Sequence, residues 1–299
     1  MDRRRDARAA AGPRHGPGLD AGPHAAMDPG TGAGAGAGAP PATSIDWTRP
    51  WLAPYRADGE AVAVDLAAGW PVHAALERRR GADPRRAALL PRFVPQAALP
   101  PGTAYEAWIA AERAVPTRDD LHDLFNGLVW LAFPALKWAL NRRQASEIAG
   151  RGVGPRRGAW RDALTLFDEN GAWLALPPEA AAAWAAHDWR ALFGRHRAAW
   201  AAAAPVVFGH ALLERLLRPR KALCAHAWRV DAALPGPADP GAVAGALAAG
   251  LDVAMAPPRH RPLPVLGVPG WWPANADPAF YDDPAVFRPA PARRAIIAA

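Results

Sequence analysis

From Pro116 to Asn141 the chain reads PTRDDLHDLFNGLVWLAFPALKWALN, and no other stretch restricts the fold as tightly. Leu121, Leu124, Phe125, Leu128 and Leu131 recur with the 3.6-residue period of an α-helix and fill one face. Beyond Asn126 the other faces are apolar as well until Lys137, so the rest of the chain must enclose this helix. Thr117, with Asp120 three residues on, has the form of a capping box that starts it. Pro134 should bend or restart it on the way to about Ala149. Only the front end is polar: Asp119, His122, Asp123 and Asn126 are linked by steps of three and four and form one contiguous patch. At the mouth of a buried stem such a patch lies on a cleft floor, where each unpartnered polar group costs roughly 2–7 kcal/mol. The plainer alternative is that Asp119 and Asp120 complement the helix dipole and His122 is a satisfied core histidine.

The flanking segments mix two periods. WPVHAALERRR (70–80) and AYEAWIAAERA have helical spacing, RFVPQ is extended, and Val115-Pro116 should close the second helix. In RDALTLFDENGAWLAL (161–176), ALTLF and AWLAL flank an Asn-Gly corner, which predicts a β-hairpin. Helices are expected near 178–186, 188–202 and 207–217, a strand in KALCAHAWRV near 221–230, and a last helix from about 239. From Pro257 onward the chain is irregular and wraps Trp271, Phe280, Tyr281 and Phe287 onto the core. The expected fold class is α+β, a single mostly helical domain over 45–299 with a small antiparallel sheet. Residues 1–44, including GTGAGAGAGAPPAT, lack apolar periodicity and read as a disordered low-complexity tail.

Composition narrows the setting. No apolar run follows MDRRRDARAA, which argues against a secretory signal, and no segment approaches the roughly 20 apolar residues of a membrane span. The one cysteine, Cys224, excludes an internal disulfide and a thiolate zinc cluster, so a cytoplasmic location is expected. The net charge is +7, and +6 remains once the tail's five Arg and four Asp are set aside. Arg142, Arg143, Arg151, Arg156, Arg157 and Arg161 form a basic strip that would attract phosphates or nucleic acid, unless it is a solvated helix end and loop. Of 35 basic residues only Lys137 and Lys221 are lysines. A chain that has replaced lysine by arginine so widely should keep lysine where a compact ammonium is needed.

A second constellation lies in FGHALLERLL, where His210 and Glu214 are one helical turn apart, a spacing suited to metal ligation or an acid/base pair. Lys221 follows this helix and His226 lies in the next strand. Asp168 and Glu169 at the Asn-Gly corner read as turn formers. The leading expectation is a metal-dependent hydrolase acting on a phosphorylated or otherwise anionic substrate. In it His122, Asp123, Asn126 and Lys221 form the catalytic set and His210, Glu214 and His226 the metal ligands. A divalent metal is the cofactor such a set implies. The rival is a non-catalytic binding module, with the same groups as a buried polar network and the basic strip facing nucleic acid or an acidic partner.

Four of these stretches also carry a resemblance. PTRDDLHDLFNGLVWLAFPALK, RDALTLFDENG, FGHALLERLL and LGVPGWW…FYDDPAVFRP are similar to a bacterial family of unknown function, numbered three thousand and twenty-five among such domains. The resemblance covers roughly residues 45–290 and implies a bacterial domain; it brings no mechanism and no catalytic residue.

Overall fold

The structure, a computed structural model, describes residues 44–151, 159–230, 239–254 and 260–290, which belong to one compact unit. The tail expectation, apart from Ser44, and the Arg156 and Arg157 part of the basic strip lie outside the described residues. A 3-10 turn over Pro50–Tyr55 leads into α1 (Arg56–Ala67), α2 (Val72–Gly81) and a short α3 (Pro84–Leu89). Pro71 cannot cap α2 with a side chain. Instead Asp119, 47 residues further on, accepts a hydrogen bond from the Val72 N–H at 2.8 Å. Asp58 of α1 joins the three helices by accepting from Arg79 and Arg86, and Arg86 also donates to the Leu131 carbonyl at 2.8 Å.

β1 (Arg92–Pro95) and β2 (Ala114–Thr117) pair in parallel across a connection that contains α4 (Tyr105–Glu112). The stem follows in two pieces, α5 (Leu121–Ala132) and α6 (Pro134–Arg151). Pro134 restarts the helix at its first turn, where a missing N–H costs nothing. The cap of α5 is Asp120, whose side chain accepts from the Asp123 N–H at 2.8 Å. Thr117 does not cap, because β2 pairing holds it opposite Pro95 and its hydroxyl donates to the Val115 carbonyl.

The second half contains α7 (Ala159–Asn170), β3 (Gly171–Ala175), α8 (Pro178–Ala185), β4 (Val206–Val207) and α9 (His210–Arg215). β5 (Cys224–Val230), α10 (Pro240–Ala249), α11 (Leu251–Ala254) and β6 (Arg261–Pro264) complete it. The expected hairpin over 161–176 is replaced by a helix running straight into a strand. Ala163, Leu164 and Phe167 are buried at the one-turn spacing of a helix stripe, and Asn170-Gly171 is the helix-to-strand junction. β3 therefore finds its partners elsewhere, parallel to β5 and antiparallel to β4, in a mixed sheet ordered β4-β3-β5-β6. The class is α+β with more helix than strand, and the sheet is not a purely antiparallel one.

The stem and this sheet share one core. Phe133 meets Trp173 edge-on at 5.2 Å, and Phe167 stacks on Phe208 at 4.8 Å and meets Trp228 edge-on at 4.6 Å. The C-terminal stretch wraps as expected: Tyr281 and Phe287 are buried, and Trp271 and Phe280 pack against the core. Arg143 pairs with Glu147 and Asp252 and stacks on Trp160, so this part of the basic strip is engaged within the fold. Among the described residues no helix is long and apolar enough to cross a membrane.

Candidate functional site

Three helix ends converge where the stem begins. α5 carries His122 in its first turn, α9 starts at His210, and α7 ends with Asp168, Glu169 and Asn170. Gly209 makes the convergence possible. The Phe208 and Gly209 N–H groups both donate to the Gly171 carbonyl, at 2.9 and 2.8 Å. A Cβ on residue 209 would lie 2.5 Å from the Glu169 carbonyl oxygen and from the Asn170 nitrogen. Only a residue without a side chain lets the start of α9 rest directly on the end of α7.

This contact fixes the imidazoles. His210 Nδ1–H donates to the Asp168 carbonyl at 2.7 Å, and His122 Nδ1–H donates to Glu214 Oε2 at 3.3 Å. With both Nδ1 positions occupied as donors, each Nε2 carries a lone pair, and the two Nε2 atoms are 3.0 Å apart. Glu169 Oε1 is 3.6 Å from His210 Nε2. Among the described residues, His122, Glu169 and His210 form a group with one ligand atom each, all within 4.8 Å of one another. Two facing lone pairs repel, so a proton or a cation has to lie between them. Burial pulls the His210 pKa below 6.5. Burial opposes charge on His122 too, but the Glu214 hydrogen bond and the Glu169 charge outweigh it and raise that pKa above 6.5.

A second layer supports the group from inside. Lys137, buried at the start of α6, donates to Asp168 Oδ1 at 2.6 Å and to Asn126 Oδ1 at 2.9 Å, with its ammonium 5.4 Å from the Trp130 ring centre. Burial works against charge on Asp168, yet Lys137 and His210 hold its carboxyl below the usual 3.8. Asn126 donates in turn to the Tyr105 hydroxyl at 3.1 Å. Beside Lys137 lies a cavity of about 10 Å³ bordered by Tyr105, Glu106, Asn141, Gln144 and Asp168. Part of Glu106 reaches the surface, but its carboxylate is enclosed, and one oxygen accepts from Asn141 Nδ2 at 2.5 Å. Burial, with the Asp168 charge added, pushes its pKa from 4.5 up to about 7.

That shift has a stability consequence. A carboxyl raised from 4.5 to about 7 on folding imposes no cost below pH 4.5 and its full cost above pH 7. Glu106→Gln should therefore match the natural chain near pH 4.5 and exceed its stability above pH 7 by up to roughly 3 kcal/mol. Urea unfolding of both proteins across this window reads the difference; parallel curves would mean that Glu106 ionises normally.

The structure brings His122, His210 and Glu214 together and places the other expected residues elsewhere. Asp123 accepts from the Arg118 backbone N–H at 2.6 Å and from its guanidinium at 2.9 and 3.1 Å, which clamps the start of α5. Asn126 belongs to the supporting layer. Lys221 pairs with Asp283 at 3.1 Å and sits 4.3 Å from the Phe280 ring centre, against the C-terminal wrap. His226, on β5 opposite Gly171, meets the His260 ring at 4.9 Å. The site also takes in Asp168, Glu169 and Lys137. The sequence presents the first two as turn residues, and of the three only Lys137 carries a signal there, its rarity as a lysine.

The model of a family described as "Protein of unknown function (DUF3025)" matches residues 91–291, a span that contains His122, Glu169 and His210. No curated protein and no solved structure matches this chain.

Proposed function

We propose, for a chain that belongs to the DUF3025 family, that His122, His210 and Glu169 bind one divalent metal ion and use it for hydrolysis. The 3.0 Å approach of two Nε2 atoms, each on a ring whose Nδ1 is already engaged, carries the reading. Ligand bonds of roughly 2.0–2.1 Å in tetrahedral geometry put two nitrogen ligands about 3.3 Å apart, close to what these rings adopt. A metal-bound histidine holds its other ring N–H against a carbonyl or carboxylate, and here a backbone carbonyl stands behind His210 and the Glu214 carboxylate behind His122. Two imidazoles and one carboxylate are a donor set of hydrolytic zinc sites, in which the ion brings bound water to a pKa of about 7. Glu169 and Glu214 supply negative charge that balances a dication, and the Lys137–Asp168 pair fixes the carbonyl that orients His210.

Calorimetric titration of chelator-treated protein with zinc tests the reading. One equivalent is expected to bind, His210→Ala should abolish uptake, and Glu214→Gln should weaken it by about 10–100-fold as an outer partner. Ligand nitrogens must be deprotonated, so affinity should fall as the pH drops through the raised His122 value, above 6.5. Zinc-loaded protein should then hydrolyse an activated ester or phosphoester. A natural chain that takes up no metal, and whose melting temperature ignores chelators, would favour the binding-module reading.

A further inference from the structure

Behind the imidazoles, two buried groups on α6 have hydrogen bonds still to make. Asn141 is 2% exposed, and its Nδ2 donates to the Glu106 carbonyl at 2.9 Å and to Glu106 Oε2 at 2.5 Å. Both are acceptors, so that side of the amide must carry the N–H groups and Oδ1 is turned away from it. Among the described residues Asn141 Oδ1 has no hydrogen-bond partner, an uncommon state for a buried acceptor. Lys137 lies one helical turn earlier on α6, hence on the same side. Its ammonium has three N–H donors, and two are engaged, by Asp168 and Asn126. Asn141 and Lys137 border the same cavity of about 10 Å³, together with Glu106 and Asp168.

We propose that this cavity is a built site for one water molecule, which donates to Asn141 Oδ1 and to the Glu106 carboxylate and accepts from the third N–H of Lys137. Size and charge select the ligand. The volume admits one water and nothing larger, and three polar partners are within the number that an internal water takes. Glu106 and Asp168 repel an anion and Lys137 repels a cation, whereas a neutral molecule that both donates and accepts suits all of them. Through this water Asn141 and Glu106 become positioning residues for Lys137. The Lys137–Asp168 bond in turn stands behind the carbonyl that His210 Nδ1–H meets at 2.7 Å. The water site does not depend on the metal reading.

The scarcity of lysine makes the test selective. In the metal-free full chain carrying lysine labelled with nitrogen-15 at Nζ, only Lys137 and Lys221 report. The Lys137 ammonium should give a slowly exchanging signal with a rotating-frame cross-relaxation peak at the water frequency, of the sign that marks a long-lived bound water. Asn141→Leu, close to asparagine in size and checked for folding by circular dichroism, should lose that peak. Its His210 Nδ1–H resonance should also shift, while that of His122, held by Glu214, stays in place. Glu106→Gln keeps a hydrogen-bonding group at the cavity and should retain the peak. Crystals of the natural chain soaked in rubidium give a second measurement that needs no variant. Density within hydrogen-bond distance of Asn141 Oδ1 and Lys137 Nζ, without the anomalous signal of rubidium, is expected. No peak in the natural chain, a peak that survives in Asn141→Leu or is lost in Glu106→Gln, or a crystal site that is empty or holds rubidium overturns the water site. An unmoved His210 resonance in Asn141→Leu overturns the positioning role.

Discussion

Lys137→Met is expected to lower stability by about 3–5 kcal/mol, although methionine matches the lysine stem in length and the position is 5% exposed. For a domain of this size that is a fall of roughly 6–20 °C in melting temperature. The ammonium is the countercharge of Asp168, at 2.6 Å, and also holds Asn126. Without it Asp168 would be a buried carboxylate facing Glu106 and Glu169, and breaking one side of a buried pair costs far more than the pair contributes. Two comparisons separate charge from packing. Lys137→Met combined with Asp168→Asn removes both charges and should recover much of the loss. Lys221→Arg, at a half-buried ion pair with Asp283, should stay within about 0.5 kcal/mol of the natural chain. A Lys137→Met protein that melts with the natural one would mean that Asp168 is not ionised.

Gly209→Ala is the second large effect, and it should reach both stability and the site. The new methyl group would meet the backbone of Glu169 and Asn170 at 2.5 Å, and no flexible side chain is there to yield. Either α9 backs away or the α7–β3 junction moves, and the hydrogen bonds from Phe208 and Gly209 to Gly171 are lost in both cases. The expected cost is about 3 kcal/mol or more, in the range of overpacked core sites. His210 would also leave the Asp168 carbonyl, so zinc uptake should fall nearly as far as in His210→Ala. Gly245→Ala, in α10 with nothing within 4 Å of its added methyl, is the contrasting substitution and should stabilise slightly. Full zinc affinity in Gly209→Ala would show that the imidazoles do not depend on this contact.

The stem was legible because its signal is local. Leucines at helical spacing, with apolar residues on every other face, require a buried helix whatever surrounds it, and the polar residues at its mouth mark where that burial ends. His210 and Glu214 were legible for the same reason, as one turn of one helix. Residues 161–176 were not, since ALTLF satisfies both the alternating and the helical pattern, and long-range burial of Leu164 and Phe167 decides between them. Glu169 reads as a turn former because nothing in DENG says that α9 will press against it; that depends on Gly209, forty residues later. Lysine scarcity marked Lys137 and Lys221 alike. Nearness in sequence to His210 favoured Lys221, but the chain turns after α9 and carries Lys221 to Asp283 and Phe280.

The larger sheet has a further property, visible at its margins. One outer strand, β4, is two residues long; the other, β6, is Arg-Pro-Leu-Pro, with Pro262 and Pro264 set against His226 and Cys224 of β5. A margin two residues long gives an incoming strand almost no ladder to extend, and one with alternate prolines lacks the N–H groups to build it. The apolar strands β3 and β5 are thus sealed against strand-by-strand addition of a second copy. Among the described residues, the larger sheet therefore offers a second copy almost no margin on which to grow.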